Sequence, residues 1–132
     1  MAFTVVNPAG IEEITRPHEP DEPARHVREL SEVIGFADVR ANLWRKDAGP
    51  AHPRGRRHRH PRQEETFLVL AGTLSMYLGE PPERHDVQTG SLVRVDPETA
   101  LQSVNHGDVE LVVYASGYPP EDERAEILDS AV

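Results

Sequence analysis

From Val39 to Ala115 the chain consists of short alternating runs separated by turn residues, and this punctuation limits the fold more than any other property of the sequence. In DVRANLWRK, Val39, Ala41 and Leu43 alternate with Arg40, Asn42 and Trp44. ETFLVLAGTLSMYL reads as two strands hinged at Gly72, with Leu74, Met76 and Leu78 on one face of the second. GEPPERH is a turn and Thr89-Gly90 another. SLVRVD, ALQSVN and VELVVYA make three more strands, broken at Asp96-Pro97 and His106-Gly107-Asp108. A period of two places every second side chain on one face. Runs this short, with turn signals between them, predict an all-β sandwich or barrel. The gaps leave no space for crossover helices, so doubly wound α/β folds are excluded, and no glycine-rich phosphate loop is present.

The 132 residues suit one domain. We read a barrel core over about 36–116, an N-terminal arm over 1–35 and an acidic tail over 117–132. FTVV (Phe3 to Val6) is a candidate edge strand, whereas EEITRPHEPDEP reads as loop because its prolines remove backbone donors and fix φ. Val27, Leu30 and Ile34 fall at helical spacing, which predicts a short helix between Ala24 and Ile34 closed by Gly35. Cysteine is absent, so disulfides, thiolate metal sites and cysteine nucleophiles are excluded. The apolar runs are too short for a membrane helix, and MAFTVVNPAGIEE lacks the basic and apolar regions of a secretory signal. A cytoplasmic protein that does not contact membranes is the expectation. Arginine in place of lysine, with abundant Pro and Ala, points to a GC-rich bacterial genome.

Charge is distributed unevenly. The formal net charge is −9, yet five of the thirteen arginines and three of the seven histidines fall in HPRGRRHRHPR (His52 to Arg62). Nucleic acid is a poor partner for this stretch, which has no aromatic residue for stacking and belongs to an acidic chain. Its arginines, Arg56 and Arg57 among them, read either as a solvated loop balancing the acidic arms or as a positive collar that draws in an anionic small molecule. The chemistry-bearing pattern is His58-x-His60 followed by Glu64-Glu65. Two imidazoles at i and i+2 share a strand face and can grip one ion. A carboxylate from the next strand would complete a two-His, one-carboxylate set with open positions, suited to iron, manganese, nickel or zinc. Neighbouring arginines should favour neutral imidazoles. Arg94, flanked by Val93 and Val95, points either to solvent or into the barrel as an anion clamp. His18 and His85 read as surface residues, Met76 as core, and Trp44 as a core or dimer-contact residue. No serine or threonine sits in a nucleophile-elbow context.

From the histidine pair onward, HRHPRQEETFLVLAG resembles the first motif of the cupin superfamily: His58, His60, four residues, Glu65, six residues, Gly72. The usual glycine six positions before the first histidine is His52, flanked by Gly49 and Gly55. GSLVRVDPETALQSVN resembles the second motif in outline, with Gly90, Pro97 and Asn105 retained, Glu98 where a glycine is usual and Leu101 where a histidine is usual. The resemblance spans roughly Val39 to Ala115. It implies a double-stranded β-helix, or jelly-roll barrel, with a short N-terminal helix and irregular arms. It also implies a metal site of His58, His60 and Glu65, the six-residue gap to Gly72 favouring Glu65 over Glu64. Leu101 removes the usual fourth ligand. Gln102, His106 or water would then fill in, although alternation puts Gln102 on the face opposite Leu101. Otherwise the barrel is metal-free, with Leu101 lining a pocket for an organic ligand. Small cupins include dioxygenases, isomerases, epimerases and decarboxylases, as well as non-catalytic binding and sensor modules. Exposed sheet edges predict a homodimer, with FTVV and the strand around Trp44 as the contact.

Overall fold

The computed structural model describes residues 2–16, 25–49, 54–120 and 125–132; His18 and His52 lie outside them. In chain order the elements are β1 (Ile14–Arg16), β2 (Arg25–Glu29), α1 (Ser31–Ile34), β3 (Arg40–Lys46), β4 (His58–Arg59), β5 (Glu64–Ala71) and β6 (Leu74–Leu78). They continue with β7 (Glu83–Val87), β8 (Leu92–Val95), β9 (Leu101–Val104), β10 (Leu111–Tyr118) and β11 (Glu126–Ile127). One sheet runs β1-β2-β3-β10-β5-β8 and the other β11-β4-β9-β6-β7, and all their pairings are antiparallel. This is the all-β barrel that the punctuation predicts, in the jelly-roll form that the cupin resemblance implies.

Alternation sets the core. Along β10, Leu111, Val113, Ala115 and Gly117 are buried in turn, and Phe67 and Val69 on β5 face the same space. Leu74, Met76, Val95 and Leu101 complete a cluster between the sheets. Each fully buried aliphatic side chain here contributes about 1.5–3 kcal/mol relative to exposure. Gly72, the hinge between β5 and β6, has φ 79°, and a Cβ there would stand 2.6 Å from the Glu110 carbonyl oxygen. Glycine is required at that corner on both counts.

The arms depart from expectation. Residues 3–6 form no strand, and Phe3 and Val5 are exposed. The edge strand is instead β1, inside the stretch read as loop. The predicted helix is confined to Ser31–Ile34, while Val27, 1% exposed, sits in β2 between β1 and β3. Sheet pairing on both sides satisfies the backbone of β2 and overrides local helical spacing. Gly35 does close the helix, with φ 87° and its N–H donating to the Ser31 carbonyl at 2.9 Å. The acidic tail is not wholly irregular either: Gly117 and Tyr118 belong to β10, and β11 extends the second sheet beyond β4. Strand β3 is paired on both sides, so the strand around Trp44 offers no free edge for a dimer contact. Among the described residues, no helix is long and apolar enough to cross a membrane.

Candidate metal centre

Strand register brings the histidine pair and one carboxylate together. Glu65 shares the inward face of β5 with Phe67 and Val69, whereas Glu64 faces outward and pairs with Arg94 at 3.2 Å. Nε2 of His60 lies 3.0 Å from Oε1 of Glu65, and Nε2 of His58 lies 3.7 Å from the same oxygen. One ligand atom from each of the three residues falls within 4.8 Å of the others. The rings of His58 and His60 meet edge to face, their centroids 5.0 Å apart. Nδ1 of His58 is 2.8 Å from the Arg56 carbonyl oxygen. A carbonyl only accepts, so Nδ1 carries a proton, and the ring in its neutral form would turn its Nε2 lone pair to the cavity. Glu65 Oε1 is buried, and its close contacts lack hydrogen-bond direction. Two imidazole nitrogens and a carboxylate oxygen that converge in this way fit a shared cation.

Charge within the trio is strongly coupled. Burial pushes the Glu65 carboxyl up, but the facing His58 and His60 outweigh it and hold the group at about 2. Burial lowers the His58 pKa, yet Glu65 and the Arg56 carbonyl prevail and leave it above its ordinary 6.5. Arg25 lowers the His58 pKa, as expected of a neighbouring arginine, but the Glu65 carboxylate outweighs it. A bound cation would have to displace that proton.

The trio opens into a cavity of about 340 Å³ whose lining includes the apolar Phe67, Leu74, Leu101, Leu111 and Val113. That volume suits a small molecule. Leu101, 3% exposed, lies directly opposite His58 in the β4–β9 register, so an apolar side chain stands beside the histidine pair. The other residues weighed from sequence are dispersed. Gln102 faces away from Leu101; its Nε2 donates to the Gly55 carbonyl and to Ser130 Oγ, both at 3.0 Å, and its Oε1 accepts from the Ala131 N–H at 2.8 Å. It fastens the C-terminal segment and is no ligand. His106 does not line the cavity and lies 2.9 Å from the Tyr77 hydroxyl. Arg94 is exposed and held by Glu64 and Asp96, so it is not an inward clamp. The arginine stretch divides. Arg56 lines the cavity, Arg57 donates to the Gly79 and Asp129 carbonyls, and Arg59 grips Glu126 at 2.7 and 3.1 Å.

Sequence reading missed several wall residues. Arg40, Asn42, Trp44 and Lys46, the alternate positions of β3, line the cavity, as do Arg25, Gln63 and Ile127. Trp44 is thus a cavity wall, with the Arg25 guanidinium 5.0 Å from its ring centre. The i, i+2 spacing of the polar set on β3 was the available signal. Arg25 was hidden by the helical reading of its segment.

The sequence profile of the family described as Cupin domain matches residues 47–117. A comparison with curated proteins gives no match. Among solved structures, the chain is similar to a sugar phosphate isomerase of the cupin superfamily from Silicibacter pomeroyi, at 20% identity and TM-score 0.74, covering 87% of this chain and 75% of that one. It is also similar to a predicted oxalate decarboxylase from Thermotoga maritima, at 14% identity and TM-score 0.74, covering 88% and 99%. The polyketide cyclase RemF from Streptomyces resistomycificus aligns at 14% identity and TM-score 0.76, covering 96% and 87%. At these identities the likeness is one of fold.

Proposed function

The chain belongs to the cupin-domain family, and from that membership we propose that it holds one divalent metal ion through His58, His60 and Glu65 and uses it to act on a small anionic organic molecule in the barrel. The observation that carries this reading is the convergence of two Nε2 atoms on a buried Glu65 oxygen that has no hydrogen-bond partner. Bound there, iron, manganese, nickel or zinc would polarise an oxygen of the ligand. The chain's own residues supply the rest. The Arg56 carbonyl fixes the His58 tautomer, the apolar wall excludes water, and the cationic lining favours a negative ligand. Two of the structural neighbours are named for anionic substrates, which is in keeping with this charge, but the proposal rests on the cavity's own residues.

Leu101 beside His58 supports a second reading, a metal-free cupin that binds an organic ligand without turning it over. Metal content and thermal melting of untagged protein separate the two. We expect near-stoichiometric metal, and a rise in melting temperature with at least one of Fe(II), Mn(II), Ni(II) and Zn(II). Metal at about a hundred times its Kd should stabilise by about 2.7 kcal/mol. The His58→Ala, His60→Ala double variant and Glu65→Gln should lose the shift, whereas Glu64→Gln should keep it. Absence of any metal response in the unmodified protein would leave only the second reading.

A further inference from the structure

Strand β11 gives the cavity a wall that the candidate metal ligands do not supply. It lies at the edge of the second sheet and pairs with β4, Ile127 opposite His58 and Glu126 opposite Arg59. His58 is in turn opposite Leu101 on β9. Residues directly opposite in an antiparallel pair share a face. Ile127, His58 and Leu101 therefore form one row, and all three line the cavity. The imidazole stands between two aliphatic side chains. Leu101 is 3% exposed and Ile127 55%, so Ile127 is the rim of this row. Ala125, two residues earlier and on the same face, lines the cavity as well.

A two-residue strand has little stability of its own, and the Arg59–Glu126 pair is exposed and contributes little. What fixes the segment lies further along. The Leu128 N–H donates to the Arg57 carbonyl at 2.8 Å. Gln102, 1% exposed, donates to Ser130 Oγ and accepts from the Ala131 N–H. Neighbours on β9 thus act on opposite sides of the sheet: Leu101 lines the cavity, and Gln102 fastens the segment that brings Ile127 to it. Withdrawing residues 125–132 would strip a buried amide of two partners, which is costly. The segment is held across the mouth, and its inward side chains set the width there.

We propose that residues 125–132 form a strap latched by Gln102, and that Ile127 is a specificity-determining residue that selects cavity ligands by size, admitting compact organic molecules and excluding broader ones. This rests on the cavity being the ligand site, as in both readings above, and not on the metal.

Trp44 is the one tryptophan of the chain and lines the same cavity, so its fluorescence reports entry. The full chain, without added metal, is titrated with two neutral quenchers, acrylamide and the bulkier succinimide. Ile127 is more than half exposed, so its replacement leaves the core packing in place. Ile127→Ala should raise the succinimide quenching constant by about twofold or more, and the acrylamide constant less. Ile127→Phe should lower the succinimide constant. A purely structural role would not give opposite signs for the smaller and the larger side chain. Gln102→Ala should raise both constants by releasing the strap, and Ser130→Ala, at an exposed position, reads the same latch without disturbing the barrel. Size selection is overturned if the ratio of the two constants is unchanged in Ile127→Ala and Ile127→Phe, or moves the same way in both. The latch is overturned if neither Gln102→Ala nor Ser130→Ala raises quenching. Failure of the metal reading, judged by the melting response above, leaves these results intact.

Discussion

Glu98 shows how one residue can depart from a family pattern while the backbone keeps it. It stands where the second motif usually has glycine, and it adopts φ 68°, the only left-handed conformation of a non-glycine residue among those described. Its N–H donates to the His60 carbonyl at 2.7 Å, so the strained turn braces the segment that carries a candidate ligand. A side chain at such a φ costs about 1–2 kcal/mol, partly offset by the entropy that glycine would lose on folding. Glu98→Gly is therefore expected to stabilise the protein by about 1 kcal/mol, a few degrees in melting temperature, and to leave metal affinity unchanged. A lower melting temperature would mean that the Glu98 side chain contributes more than the turn strains. The departure was visible in the sequence, but its conformation was not, because a glycine-to-glutamate exchange is equally compatible with a rebuilt turn.

Strand β3 carries the matching lesson for elements. Its alternation was legible, but the direction of its faces was not. The polar row Arg40, Asn42, Trp44 and Lys46 lines the cavity, while Ala41 is fully buried on the other side, where its N–H donates to Ser31 Oγ at 2.7 Å. Helix α1 and the N-terminal arm cover that outer face, so an apolar row need not mark the inside of a barrel. Glu13 ties the arm down through Arg45, which donates to its carboxylate at 2.6 and 3.0 Å. The Arg45 hydrogen bonds outweigh burial and hold the Glu13 carboxyl below its ordinary 4.5. Because the folded value is depressed, the unfolded chain takes up this proton first as pH falls. The contribution is complete above about pH 4.5 and disappears as pH drops through the folded value. Glu13→Gln should therefore melt lower than the unmodified protein by about 1 kcal/mol near neutral pH, and the two should converge in acid. A difference that does not shrink as pH falls from about 4.5 into strong acid would assign the effect to packing.

For the whole molecule, the open question is what covers its apolar exterior. Phe3 and Val5 are 73% and 89% exposed, and Leu92 on the edge strand β8 is 67% exposed. We expect a homodimer that uses the N-terminal segment, with Trp44 excluded from the contact. Sedimentation equilibrium should give twice 14.7 kDa, and removal of residues 2–6 should return the monomer; a monomeric mass for the full chain refutes the assignment. The sequence by itself determined the short antiparallel strands, the Gly72 corner and the spacing of His58, His60 and Glu65. Each of these follows from local steric rules and a period of two, which neighbouring residues fix among themselves. Only the tertiary structure decided that Arg25 belongs to a strand, that Arg25 and Lys46 stand side by side on the β2–β3 wall of the cavity, and that β11 closes the sheet beside His58. Those facts depend on pairing between residues far apart in the chain, where burial and sheet hydrogen bonds outweigh local preference.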